Sequence, residues 1–172
     1  GNWKFDGDAD GTYQEQEYND ENQVIGVTTT EYSYALDGLY VGDMPQTAYI
    51  FGLTYKPIKG LRLQALYKTY DKNYADWSPD SREIEGDADR TQVWEAPGYS
   101  KLDLHASYKL PIKGYDISLN AHVFNALDDV FVQDAVDNSK YNGYGDKLHL
   151  PHNAEVFLGT PRYANIGVSV NF

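Results

Sequence analysis

The chain has 172 residues, no cysteine, and a formal net charge of −12 with a sequence pI near 4.5. This length holds one domain or part of a larger one. The acidity argues against nucleic-acid binding, which needs Lys and Arg on phosphates, and the missing cysteine rules out a disulfide framework or a thiolate metal site. A mean hydropathy of −0.61 and the lack of any long apolar run exclude a transmembrane helix, which needs roughly 20 apolar residues. They do not exclude spanning strands, in which every second residue is free to be polar. Aromatic residues make up 15% of the chain, with 16 Tyr, a composition that favours strand over helix.

Gly1-Asn2-Trp3-Lys4-Phe5 has none of the marks of a signal peptide. The chain opens inside what reads as a strand, so a fragment of a longer protein is expected. From Asn2 to about Tyr18, Trp3, Phe5, Gly7, Ala9, Gly11 and Tyr13 alternate with Lys4, Asp6, Asp8, Asp10, Thr12, Gln14 and Gln16. A polar loop follows at 19–23. A short strand fits Val24 to Tyr34, and Gly38, Gly42 and Pro45 punctuate the rest of 24–46.

The clearest hairpin comes next. Thr47 to Lys56 puts Tyr49, Phe51, Leu53 and Tyr55 on one face and Ala48, Ile50, Gly52 and Thr54 on the other. Pro57-Ile58-Lys59-Gly60 turns the chain, and Leu61, Leu63, Ala65 and Tyr67 then oppose Arg62, Gln64 and Lys68, with Leu66 breaking the polar side. After a long hydrophilic segment, 72–97, the pattern repeats. Leu102, Leu104, Ala106, Tyr108 and Leu110 oppose Lys101, Asp103, His105 and Ser107. Pro111-Ile112-Lys113-Gly114 echoes the first turn, and Ile117, Leu119, Ala121 and Val123 oppose Ser118, Asn120, His122 and Phe124. A second long polar loop, about 129–160, leads to the last strand, where Ala164, Ile166, Val168, Val170 and Phe172 face away from Asn165, Gly167, Ser169 and Asn171.

The expectation is an all-β antiparallel transmembrane barrel segment of about six strands of about ten residues, long enough to span when tilted. Short turns alternating with long loops are the pattern of an outer-membrane barrel, with short turns periplasmic and long loops extracellular. Phe172 closing an apolar strand is read as a barrel-assembly residue, because a soluble protein protects such an edge. Two other readings compete: a secreted, soluble β-sandwich module binding carbohydrate or calcium, and a small autonomous outer-membrane barrel or adhesin.

Pro97 to Leu104, the Val123-Phe124-Asn125-Ala126-Leu127-Asp128-Asp129 run, and Gly159-Thr160-Pro161-Arg162-Tyr163 leading to the terminal Val170-Asn171-Phe172 resemble the C-terminal barrel strands of TonB-dependent outer-membrane receptors. Val41 to Thr47 and Tyr74 to Arg82 are similar to loops of the large-substrate importers in that family. The resemblance spans about Trp3 to Phe172. It implies a barrel of about 22 strands with a plugged lumen, of which this chain supplies the last six or so as one C-terminal portion, 1–172. It also implies a plug domain, a TonB-type energy-transducing protein, the lipid bilayer and a surface-exposed substrate-binding lipoprotein as partners. The activity implied is import of a bulky nutrient: an oligosaccharide, a peptide or a siderophore.

Asp6, Asp8, Asp10, Thr12 and Glu17 match the D-x-D-x-D-G-x5-E calcium loop in full. The same spacing is what a strand presents on one face, as a ladder with rungs about 6.7 Å apart that cannot enclose one ion. The acidic wall is the expectation, with calcium as the alternative and no other cofactor. His105 and His122 fall on the polar side of neighbouring strands, placed to hold a metal between them or to bond to neighbours and water, and the second is expected. His149 and His152 read as solvated loop histidines. Trp77 and Trp94, in the long loop, either stack on a substrate or pack the loop itself. No nucleophile–base arrangement and no phosphate-cradling loop occurs, so an enzyme is not expected.

Overall fold

A computed structural model describes residues 1–77, 82, 90–139 and 149–171. Its strands are β1 (Ala9–Tyr18), β2 (Val24–Tyr34), β3 (Pro45–Tyr55), β4 (Leu61–Tyr74), β5 (Glu95–Ala96), β6 (Tyr99–Lys109), β7 (Asp116–Phe124), β8 (Val132–Asp137), β9 (Ala154–Leu158) and β10 (Tyr163–Asn171). The protein is all-β, with antiparallel strand pairing, and a 3-10 turn occupies Pro151–Asn153. No helix among the described residues is long and apolar enough to cross a membrane, which says nothing of strands that cross.

The chain forms two compact units. One, made of 45–73, 95–135 and 156–172, holds a sheet of order β10-β7-β6-β4-β3, with the short β5 beside β4. The five long strands follow one another in chain order along this path, β5 lying between β4 and β6 and the separate β8–β9 pair between β7 and β10, so the sheet is an antiparallel meander. Two tight turns join β3 to β4 and β6 to β7. Both use the Pro-Ile-Lys-Gly sequence, and Gly60 and Gly114 take φ of +89° and +87°, a region that disfavours other residues. Gly60 is doubly constrained, since a Cβ there would lie 2.7 Å from the Lys109 carbonyl oxygen. The Gly60 carbonyl accepts the Lys109 amide at 2.9 Å, which holds the two turns side by side.

The other unit comprises 1–44, 74–94 and 136–155. Its β1–β2 hairpin is in register from Ala9 opposite Tyr34 to Glu17 opposite Gly26. Below it, Lys4 bridges Tyr40, and the Phe5 amide donates to the Leu39 carbonyl at 2.9 Å. Ala35, Leu36, Leu39, Tyr74, Ala75, Trp77 and Val93 are buried and form its core. Tyr40 stacks on Tyr74 with centroids 4.2 Å apart, and a Cβ on Gly42 would meet the Asp76 Cα at 2.6 Å.

Three expectations are corrected. The strand read over 2–18 begins only at Ala9, because Gly7 takes φ of +97° and breaks the extended backbone. Of the six or so strands expected in one barrel wall, the first, β1, pairs with β2 in a hairpin of its own, and the other five, β3, β4, β6, β7 and β10, are the long strands of a six-stranded sheet that includes β5. The polar stretch 129–160 carries strands of its own, β8 and β9, paired with each other. The strand fitted to Val24–Tyr34 is present with those bounds.

Candidate functional site

The register of the meander sorts its side chains into two faces. Leu53, Ala65, Leu104, Val123 and Ala164 form one row across the five strands, and Tyr55, Leu63, Ala106, Ala121 and Ile166 form the next. Phe51, Tyr67 and Leu102 extend the face on one side, and Leu61, Tyr108, Leu119 and Val168 on the other. One apolar surface therefore runs unbroken over the sheet. It is exposed: Leu53 keeps 70% of its surface, Val168 62% and Ile166 84%. The buried apolar residues lie elsewhere, in the connections and strand ends, as Leu36, Trp77, Val93 and Phe131 illustrate. This inverts the usual arrangement, in which the large apolar face of a sheet is what a domain hides.

The opposite face is mostly polar on β4, β6, β7 and β10, while β3 adds Ala48, Ile50, Gly52 and Thr54 to it. Lys68 Nζ sits 2.8 Å from Asp103 Oδ2, in a pair that is mostly covered. Asn120 Nδ2 donates to Ser169 Oγ at 3.4 Å, and Phe124 stacks on Tyr163 at 4.8 Å. His105 and His122 are register partners on β6 and β7, with Nδ1 atoms 2.8 Å apart. Leu66 sits on this polar face beside Gly52, whose Cβ position lies 3.1 Å from Leu66 Cδ2. The leucine occupies the space that the glycine leaves.

The three stretches that carry the receptor resemblance meet in one joint. Asn125, at φ +48°, donates its backbone amide to Asp103 Oδ1 at 3.0 Å. Its side-chain Nδ2 donates to the carbonyls of Asp129 at 2.9 Å and Thr160 at 3.2 Å. Arg162 donates its amide to Asp128 Oδ1 at 3.0 Å and its guanidinium to Asp128 Oδ2 at 3.1 Å. This joint ties β6 to the end of β7 and the start of β10.

The calcium-loop residues do not gather. Asp8 accepts from the Leu36 and Asp37 amides, both at 3.0 Å, and takes a bidentate pair from Arg90 at 2.6 and 2.5 Å. Those contacts, with the Arg90 guanidinium first, hold its carboxyl well below the usual range. Asp10 bonds Ser33 Oγ, Thr12 stands opposite Glu31, and Glu17 accepts from Thr28 Oγ1 at 3.2 Å. Asp6 and Asp8 precede β1, so the expected acidic ladder through Asp6, Asp8 and Asp10 is not formed. Among the described residues, no three His, Cys, Asp or Glu side chains cluster as a metal site.

Trp77 is 5% exposed and belongs to the packing of its loop. It meets Phe5 edge-on at 5.4 Å, lies under the Arg82 guanidinium at 5.3 Å, and donates Nε1 to the Tyr40 carbonyl at 3.4 Å. Trp94 is half-buried, and its carbonyl accepts the Ala75 amide at 2.9 Å. The expectation of a solvated His149 is overturned, because it is buried beside Asp137 and Arg82. Burial pushes the Asp137 carboxyl up, but bonds from His149 and Ser139 outweigh it and leave the group below its ordinary value. His152 is exposed, as expected. Phe172 lies outside the described residues.

Sequence reasoning missed Arg90, Arg82 and Asp137. Their partners lie 82, 67 and 12 residues away, so no local pattern marks them. No protein-family model, curated protein or solved structure matches the chain.

Proposed function

We propose that this chain forms part of the wall of an outer-membrane β-barrel, in a receptor of the TonB-dependent type that imports a bulky nutrient. One observation carries the reading: a continuous, exposed apolar face on a five-stranded meander whose other face is mostly polar on four of the five strands. Five strands about 4.8 Å apart, with an apolar band about 20 Å tall, give a footprint of roughly 500 Å² before side-chain relief is counted. At about 25 cal/mol per Å², covering it is worth about 12 kcal/mol, which equals the whole stability of many domains. Lipid covers such a face without needing a partner of matching shape.

The dimensions agree. An eleven-residue strand is about 36 Å long, and a tilt of about 40–45° brings its height to roughly 26 Å, against an apolar band of about 25 Å. Tyr55 and Tyr108 stand at the turn end of the apolar face, and Tyr49 and Tyr67 nearer the other end, where interfacial aromatics belong. The Lys68–Asp103 pair and the polar row would then face the lumen. Among the described residues, β3 and β10 each pair on one side only. Five strands do not close a barrel, so further strands of the receptor would join these edges. The nutrient class, the plug, the TonB-type transducer and a surface lipoprotein come from the resemblance of the stretches at 97–104, 123–129 and 159–172.

The chain has no cysteine, so single-cysteine spin labels can be introduced without background. Labels at Leu53, Leu104 and Val168 in bilayer-reconstituted protein should collide with dissolved oxygen and be shielded from a polar nickel reagent. Labels at Gln64 and Asn120 should show the reverse. A chain that stays folded and monomeric without detergent, with all five labels open to the polar reagent, overturns the proposal.

A further inference from the structure

We infer that His105 and His122 form a binding site for a divalent late transition metal, such as copper, nickel or zinc, on the polar face of the meander. The inference rests on the β6–β7 register and stands apart from what covers the other face. The two residues are direct cross-strand partners, an arrangement that brings same-face Cβ atoms to about 4.5–5.5 Å. Both rings turn inward, so that their Nδ1 atoms lie 2.8 Å apart. A metal bound to two imidazole nitrogens at about 2.0–2.1 Å each, with an angle of 90–109°, holds those nitrogens about 2.9–3.3 Å apart. The rings need to separate by only a few tenths of an ångström to take the ion.

The hydrogen bonding of the pair is consistent with that role. At 2.8 Å one Nδ1–H donates to the lone pair of the other Nδ1. Moving that proton to Nε2 of the same ring frees a lone pair on each of two Nδ1 atoms 2.8 Å apart, with no net proton gained or lost. Imidazole is a good ligand for zinc, copper and nickel and a poor one for calcium or magnesium, which sets the class of ion. The rings are held in place: Phe124 meets His105 edge-on at 5.4 Å and lies against His122 at 6.1 Å. Gln64 flanks His105 in the same cross-strand row, and Asn165 flanks His122, which places an amide oxygen donor on either side.

The pair also opens onto space. A cleft of about 440 Å³ is lined by both histidines with Arg62, Gln64, Ser107 and Asn120. Two histidines leave two or more coordination positions, and the cleft gives water or an incoming ligand access to them. Arg62 supplies a positive charge at that opening, suited to a metal that arrives with an anionic co-ligand such as a carboxylate.

The test uses the full chain, folded in detergent micelles or bilayers and stripped of metal, titrated with Cu(II) alone. Calorimetry should find one site, and electron paramagnetic resonance should show two equatorial nitrogens. Losing an outer partner of a ligand already costs 10- to 100-fold in metal affinity, so His105→Gln and His122→Asn should each weaken binding at least tenfold and leave no more than one nitrogen. His152→Gln, at an exposed histidine, should change neither readout, and circular dichroism checks that each variant is folded. The spectrum of the unsubstituted protein is decisive without any variant. Fewer than two nitrogens in it overturns the proposal, as does affinity that survives both substitutions or is lost with His152→Gln alone.

Discussion

Val168 and Ser169 are neighbours on β10 that point to opposite faces of the sheet, Val168 opposite Leu119 and Ser169 opposite Ser118. They sit beside the middle of a strand that runs from Tyr163 to Asn171, so both are near the centre of any membrane the sheet crosses. Replacing each in turn by arginine asks which solvent each face meets. If the apolar face meets lipid, Val168→Arg places a guanidinium near the bilayer midplane, at a cost of about 2–4 kcal/mol. Every 1.4 kcal/mol is tenfold, so the folding equilibrium falls about 30- to 700-fold. Ser169→Arg puts the same charge on the polar face and gives up a 3.4 Å bond from Asn120, at a cost of about 1 kcal/mol or less. In water the order would differ, because Val168 is already 62% exposed and surface substitutions cost about 0.5 kcal/mol. The assay is reversible urea unfolding of bilayer-reconstituted protein, followed by tryptophan fluorescence. Equal losses at the two positions, or a loss below about 0.5 kcal/mol at Val168, would refute the assignment of the apolar face to lipid.

Three further outcomes follow from the connections. Trp77→Ala removes a buried ring packed on Phe5, and should destabilise the unit around it by about 3–5 kcal/mol in the same unfolding assay. Asn125→Ala deletes two side-chain hydrogen bonds at a position of φ +48°, which asparagine tolerates better than alanine. A loss of about 2–3 kcal/mol is expected, read as the shift in urea midpoint against an Asn120→Ala control. Asp8 has a folded-state pKa below its unfolded one, so its contribution is present above the usual carboxylate range and fades as pH falls below about 4. Hydrogen exchange at the Leu36 and Asp37 amides should speed up through that window, beyond the intrinsic pH trend, and Asp8→Asn should abolish the pH-dependent part.

The five meander strands were legible because each carries an apolar face and a contrasting one. A strict period of two follows, and it survives even Leu66, the one break on the polar side of β4, which the neighbouring Gly52 accommodates. The paired turns were legible for a local reason as well, since a Pro-Ile-Lys-Gly stretch pre-sets its own geometry. The connections were not legible. Asp8 reads as a rung of an acidic strand until Arg90, 82 residues away, is seen to clasp it. His149 reads as solvated because nothing near it in sequence announces Asp137 and Arg82. The calcium-loop match illustrates the same limit: spacing along the chain fixes which residues are candidates, and backbone breaks such as Gly7 decide whether they meet. The histidine pair lies between these cases. Its facing was readable from alternation, but the inward turn of both rings was not.

The inverted burial has a consequence for how this protein can change over time. In most domains the strands are fixed by their packing and the connections drift. If lipid covers the rows of Leu53, Leu104, Ile166 and their neighbours, these positions need only stay apolar, so Leu, Ile, Val and Phe can trade places there with little penalty. The connections around Trp77, Arg82 and Asn125 are the parts that fit together closely, and a single change in one must be matched in another. The two Lys-Gly turn tips differ in this respect: Gly114, with nothing within 4 Å of its Cβ position, leaves room for foreign sequence, whereas Gly60 is held against Lys109.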